Sequence, residues 1–278
     1  MNGVQHMGES APLAVIGGGI MGSALVSRLV SAGVFKGDDV RVADILPDRL
    51  TELSETYGVT AVSDNADAVS EANTVILAIK PQVILSVLRD ISSRIEPDVL
   101  VISIVPGWSA DVLSNSLGVT SIVRALPNTP GIIGQGTVVW TASEDTTDAQ
   151  RNTSEVIFSM LGKSFWVDDE KFLDMTVAIS GSGPAYFFYI AEALVDAAVH
   201  LGWPRELSEE IIVYMLKGSA SYALESEKHL ARLRNEVTSQ GGTSAAAIYE
   251  FDKAGMRATI SKAVMAAYKR AIELGNTK

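Results

Sequence analysis

Leu13-Ala-Val-Ile-Gly-Gly-Gly-Ile-Met-Gly22 decides the fold class. Leu13 to Ile16 are all apolar and read as a strand covered on both faces, running straight into glycines at 17, 18, 19 and 22. The spacing G-x-G-x-x-G falls on Gly17, Gly19 and Gly22, and a helical pattern follows from Ser23 to Ser31, ending before Gly33. Strand, glycine turn and helix in this order make a dinucleotide-binding fingerprint. Gly17 permits the tight turn, Gly19 lets the backbone approach a pyrophosphate, and Gly22 lets the helix pack close to the strand. Gly19, Ile20, Met21 and Gly22 open that helix, whose free N–H groups favour an anion. A glycine turn with a purely structural role is the alternative that the context must defeat.

Downstream, strands alternate with helices. Val40–Ala43, Val59–Val62, Thr74–Ile79, Val99–Val105 and Ser121–Leu126 read as further strands. A helix starting at Pro47 stops at Gly58, as expected for proline at the first helical position and glycine just past the end. This alternation predicts a doubly wound, mostly parallel sheet with right-handed crossovers. Gly136–Thr141, a helix over 148–161 and a strand Ser164–Val167 complete the domain. Beyond Asp168 the strand signals vanish, and 174–179, 183–202, 205–224 and 244–274 read as helices. The expected organisation is an extension over 1–12, a Rossmann domain over 13–167 and an all-α domain over 168–278. The alanine-rich stretch Ala191–Ala198 suits close helix packing, within one chain or against a second subunit.

Bulk properties narrow the function. A net charge of −11 argues against nucleic acid or an anionic membrane surface as partner. The chain has no cysteine and 3 histidines, which gives no basis for a metal site or a disulfide. No apolar run approaches the roughly 20 residues of a membrane-spanning helix, and the start does not resemble a secretory signal. The expectation is a cytoplasmic protein.

Candidate site residues cluster at the predicted carboxyl ends of strands, where ligands of open α/β sheets bind. Asp44 ends the second strand, about 20 residues past the glycines, the place of an acidic residue that bonds a ribose hydroxyl. It favours NADH, while Arg41 and Arg49 nearby weigh toward NADPH, so both cofactors stay open. Capping the next turn is the alternative for Asp44. Ala78-Ile-Lys-Pro81 ends the fourth strand and would set Lys80 near ribose or pyrophosphate; a solvated lysine is the alternative. Ser103 ends the fifth strand, where backbone groups would meet a nicotinamide. Arg124-Ala-Leu-Pro-Asn-Thr-Pro130 is a strand broken by two prolines that projects Asn128 into the crevice. In the helical half, Ser180-Gly-Ser-Gly-Pro-Ala-Tyr186 and Val237-Thr-Ser-Gln-Gly-Gly-Thr-Ser244 interrupt helices. Gly241 and Gly242 leave backbone N–H groups free to hold a carboxylate, with donors from Ser239, Thr243 and Ser244. A helix-breaking loop with no ligand is the alternative there.

Taken together, these segments, with Val101-Ile-Ser-Ile104, resemble the pyrroline-5-carboxylate reductase family in order and spacing from about residue 13 to 274. The resemblance implies hydride transfer from NADPH or NADH to the C=N bond of 1-pyrroline-5-carboxylate, giving L-proline. It implies a helical domain that interleaves with its twin in a homodimer, and larger rings of dimers in some members. It places the substrate carboxylate on Ser239–Ser244, a donor to the imine nitrogen at Ser244 beside Thr243, and Glu170 near the substrate. Ser244 replaces the family's usual Thr, Gln240 a usual Pro, and Val105-Pro-Gly-Trp108 a usual Ala-Ala-Gly. The competing readings are another imine or β-hydroxyacid reductase of the same architecture, and a non-catalytic dinucleotide sensor.

Overall fold

Eight strands form one sheet whose order reports the chain's path. They are β1 (Leu13–Ile16), β2 (Val40–Ala43), β3 (Thr60–Val62), β4 (Thr74–Leu77), β5 (Leu100–Ser103), β6 (Ile122–Pro127), β7 (Gly136–Ala142) and β8 (Gly162–Trp166). The computed structural model describes residues 12–276. Strand order is β3-β2-β1-β4-β5-β6-β7-β8, parallel throughout except for the antiparallel β6–β7 pair. The chain lays β2 and β3 on one side of β1, then crosses to put β4, β5 and β6 on the other. The switch point therefore lies between β1 and β4, with Leu13 level with Thr74 and Ile16 level with Leu77.

Alternate residues of these strands enter two separate cores. Leu13, Val15, Val42 and Ile102 pack on one face with helices α1 (Ile20–Ser31), α2 (Pro47–Tyr57) and, later in the chain, the Asp148–Ser159 helix. Ala14, Ile16, Leu77 and Val101 pack on the other with α3 (Asn65–Val69), α4 (Ile84–Ile91) and α5 (Ala110–Leu117). Numbering the Asp148–Ser159 helix α6 completes a three-layer α/β/α unit. Burial on both faces explains why β1 and β4 read as uninterrupted apolar runs.

The remaining helices are α7 (Lys171–Thr176), α8 (Gly183–His200), α9 (Arg205–Glu225), α10 (Leu230–Glu236), α11 (Thr243–Lys253) and α12 (Met256–Asn276). Packing divides the chain into two units, Gly183–Ala267 and the rest. The packing boundary falls at 182, beyond the domain boundary expected after residue 167. The reason is that α7 is tied to the sheet by Glu170, described below. The stretch from Tyr268 onward also groups with the sheet unit. The expected extension over 1–12 lies outside the described residues except for Pro12, whose carbonyl accepts the Asn73 N–H at 2.9 Å.

Three helical expectations need correction. The single helix expected over 244–274 is two, broken at Gly255, which adopts φ +69°. The helix expected over 174–179 starts earlier, at Lys171, and from Val177 to Gly181 it widens into a π-helical turn. The short α10, from Leu230 to Glu236, was not anticipated; its seven residues carry too little periodicity to register.

The helical unit buries little on its own. Its apolar cluster consists of Ala191, Val195 and Ile212, with Leu194, Ala198 and Leu216 packed beside it. Phe188, Tyr189, Tyr214 and Tyr249 are each at least 63% exposed. So many exposed large aromatics on a unit with so small a core suit a surface that pairs with another. No described helix is long and apolar enough to cross a membrane.

Candidate active site

The switch point carries one candidate site. Gly17 leaves β1 at φ +100°, and a Cβ there would stand 2.5 Å from the Ala78 carbonyl oxygen at the end of β4. A side chain at Gly22 would collide with the Gly17 carbonyl oxygen. These two glycines are demanded by the protein itself, one by backbone conformation and one by helix-to-turn packing. Gly19 is different. A Cβ built there meets only Arg49 Nη1, at 3.8 Å, so the space beside it is open. Gly19 is also the N-cap of α1 and brings no side chain to the helix start. The N–H groups of the first turn, from Ile20 to Gly22, are thus left for an anion. This bare helix start over an open approach fits a pyrophosphate.

Asp44 joins this turn to β2. Its Oδ2 accepts the Gly18 N–H at 2.7 Å and its Oδ1 accepts the Leu46 N–H at 2.9 Å. Asp44 thus caps the turn into α2 and stands beside the glycines. Arg49, from α2, lies 3.9 Å from Asp44. Arg41 takes no part, as its guanidinium is bonded to the Ser70 carbonyl and sits 3.3 Å from Glu71.

At β4, Ala78 donates its N–H to the Ile16 carbonyl at 2.8 Å, which locks the glycine turn to the next loop. Lys80 is exposed, and Pro81 opens a short 3₁₀ turn. Pro81 also lines a cavity of about 300 Å³ with Gln82, Pro106, Trp108 and Asp174. Ile79 is half-buried against the second core.

Three of the expected site residues have side chains bonded within the protein. Ser103 is 1% exposed, and its hydroxyl accepts the Val105 N–H at 3.3 Å, shaping the loop after β5. The Asn128 side chain accepts the Thr137 N–H at 2.9 Å and donates to the Ser180 carbonyl at 3.1 Å. It braces the start of β7 and the π turn, so both ends of its amide are used. Glu170 Oε1 accepts from Arg124 Nη1 at 2.6 Å and from the Ala110 N–H at 2.8 Å. Arg124 is 4% exposed, and its Nε and Nη2 have no protein partner. Glu170 is therefore the counter-charge of a buried arginine. Beside it, Asp169 is held below the usual carboxylate range by its hydrogen bond from the Lys171 side chain.

A second candidate site lies within the helical unit. α10 ends at Glu236, whose carboxyl is held low chiefly by its hydrogen bond from Lys228 and further by Arg232. The chain then turns through Ser239 to Gly242, with Gly241 at φ +70° and the Gly242 N–H donating to the Ser239 carbonyl at 3.0 Å. Gly242 is the N-cap of α11 and supplies no side-chain cap. A Cβ on Gly242 would stand 2.5 Å from Ser239 Oγ, so the serine hydroxyl would have to turn away. Thr243 and Ser244 form the exposed first turn of α11, and their hydroxyls make no hydrogen bond among the described residues. Free N–H groups and free hydroxyls meet on one uncapped helix start, which suits a carboxylate.

The glycine turn after β1, Asp44 after β2 and the loop before α11 lie in the fold where the sequence put them. Sequence reasoning gave no role to Arg124 and only a modifying one to Arg49. Arg124 was legible as a charged residue inside an otherwise apolar strand. Arg49 was visible only as a neighbour of Asp44.

Comparison with known proteins agrees with this division. A family model described as pyrroline-5-carboxylate reductase dimerisation matches residues 170–274, and one described as NADP oxidoreductase, coenzyme F420-dependent, matches residues 12–107. The pyrroline-5-carboxylate reductase of Pisum sativum is 34% identical over 96% of this chain and 97% of its own. A pyrroline-5-carboxylate reductase structure from Coxiella burnetii is 35% identical, with a TM-score of 0.90 over 97% of this chain and all of that one. The Plasmodium falciparum pyrroline carboxylate reductase, solved with NADP bound, is 28% identical, with a TM-score of 0.86 over 96% of this chain and 99% of its own.

Proposed function

We infer that this chain, which belongs to the pyrroline-5-carboxylate reductase family, reduces the C=N bond of 1-pyrroline-5-carboxylate to L-proline with NAD(P)H. The observation that carries the reading to residues is the pairing of two bare helix starts in one sequence. The glycine turn before α1 suits a pyrophosphate, and the Ser239–Ser244 loop before α11 suits a small carboxylate.

In this account Gly17, Gly19 and Gly22 admit the cofactor's pyrophosphate, and the N–H groups of Ile20, Met21 and Gly22 bind it. Asp44 takes the adenosine ribose, and Ala78 to Pro81 flank the cofactor at the end of β4. The backbone at Ser103 and Asn128 contributes shape to that edge, since both side chains are engaged elsewhere. Ser239, Gly241, Gly242 and Thr243 hold the substrate carboxylate. Ser244 supplies the hydroxyl that donates to the ring nitrogen. Glu170 acts through Arg124 and the position of α7.

When bound, the nicotinamide supplies the hydride. What the chain must add is orientation, because a protonated cyclic imine is already electrophilic. Fixing two reactants in register supplies roughly 7–11 kcal/mol in favourable cases. On the unprotonated imine the Ser244 hydroxyl donates to the ring nitrogen, and so brings the proton that this nitrogen takes up as hydride reaches the carbon. This division of work explains a site built without cysteine and without histidine in either half.

The dimerisation match and the exposed aromatic surface of the helical unit support a homodimer. A ring of dimers and a cytoplasmic location complete the proposal. The test is oxidation of NADH and NADPH with 1-pyrroline-5-carboxylate, beside a panel of other cyclic imines and β-hydroxyacid or keto-acid partners. Turnover confined to the pyrroline supports the reading, and turnover of a β-hydroxyacid with none of the pyrroline overturns it.

A further inference from the structure

We propose that Asp44 makes this chain select the cofactor whose adenosine ribose bears no 2′-phosphate, NADH over NADPH. The proposal rests on the reading of the glycine turn as the cofactor site.

The Asp44 side chain is 10% exposed and fixed from two sides. Its oxygens each accept one backbone N–H, from Gly18 and from Leu46. A carboxylate oxygen has two acceptor sites, so each keeps one. Two ribose hydroxyls are donors that match them. A 2′-phosphate brings about −1.5 to −2 charges at pH 7 and needs donors of its own. At Asp44 the N–H groups of Gly18 and Leu46 are already spent on a fixed negative charge. Turning the carboxylate away would break two charge-assisted bonds and release both the glycine turn and the start of α2.

The neighbouring cations do not reverse this. Arg41 lies in β2, three residues before Asp44, but its guanidinium is held by the Ser70 carbonyl and by Glu71. Arg49 stands 3.9 Å from Asp44, so its charge is offset by the carboxylate before any ligand arrives. With Asp44 in place the Asp44–Arg49 pair presents little net charge. With Asp44 neutralised, Arg49 and two freed N–H groups would face the same point, the makings of a phosphate site. One residue therefore sets the sign of the preference.

The experiment titrates NAD⁺ and NADP⁺ into the purified full chain by calorimetry, for wild type, Asp44→Ser and Asp44→Asn. Wild type is expected to bind NAD⁺ tighter by about tenfold or more, the scale of one charge-assisted hydrogen bond gained or lost. Each variant is expected to shift the ratio toward NADP⁺ by at least a similar factor. Tighter binding of NADP⁺ by wild type overturns the proposal, and so does a ratio that both variants leave unchanged. Should a variant fail to fold, the wild-type ratio still decides. Binding does not depend on turnover, so a chain that prefers NAD⁺ yet leaves 1-pyrroline-5-carboxylate unreduced refutes the reductase reading alone.

Discussion

Arg124 Nη1 stands 2.6 Å from Glu170 Oε1, closing a clasp between β6 and the start of α7. The arginine is buried while the glutamate side chain is about a third exposed. Because the same Oε1 accepts the Ala110 N–H, one carboxylate ties three elements together. Through it, the π turn at Val177–Gly181 keeps its place against Asn128.

Removing that carboxylate should act on stability first. Breaking a buried pair costs about 3–5 kcal/mol, and solvent at Glu170 screens part of that, leaving ~2 kcal/mol for Glu170→Ala. Thermal unfolding should fall by roughly 4–8 °C, with KM for the pyrroline changed far less than stability. A raised KM at an unchanged melting temperature would return Glu170 to the substrate contact that the resemblance implied.

Gly19 and Gly22 should separate binding from folding. Gly22→Ala drives a methyl into the Gly17 carbonyl, so it should destabilise the sheet unit. Gly19→Val meets no backbone and should melt near wild type, yet lose cofactor affinity by about a hundredfold or more as the branched side chain fills the approach. Calorimetric titration beside a melting curve checks both. Wild-type affinity in Gly19→Val would remove the pyrophosphate from this turn.

Ser244→Ala should slow kcat by about 10- to 1,000-fold, the range for losing one proton donor or transition-state hydrogen bond. Thr at the same position keeps the hydroxyl and should retain most of the rate. Unchanged turnover of Ser244→Ala at saturating substrate would end its assignment as donor.

Concentration should matter to stability. A helical unit whose own apolar cluster is Ala191, Val195 and Ile212, under so many exposed aromatics, gains its core from a second copy. The melting temperature should rise across a roughly hundredfold increase in protein concentration, as mass action requires of a dimer. Independence from concentration, with a monomeric mass in light scattering, would contradict the homodimer.

The sheet unit was legible because local rules act strongly there. β1, β2 and α2 begin and end where apolar runs, Pro47 and Gly58 mark them, and the switch point follows from strand–helix alternation. The Ser239–Ser244 loop was legible because glycine pairs are expensive to keep without a geometric reason. What escaped was set by distant partners. Glu170 and Arg124 are separated by 46 residues, so nothing local shows that one neutralises the other. Asn128 read as an open amide because its partners, Thr137 and Ser180, become neighbours only when β7 folds back and α7 widens. The break at Gly255 was hidden within an alanine-rich helical pattern on both sides.

The most direct measurement follows NADH and NADPH absorbance after adding 1-pyrroline-5-carboxylate to the purified chain, with proline quantified in the same sample. The account predicts one cofactor oxidised per proline formed, with both products absent in Gly19→Val. Cofactor bound at the glycine turn with no oxidation and no proline would contradict it.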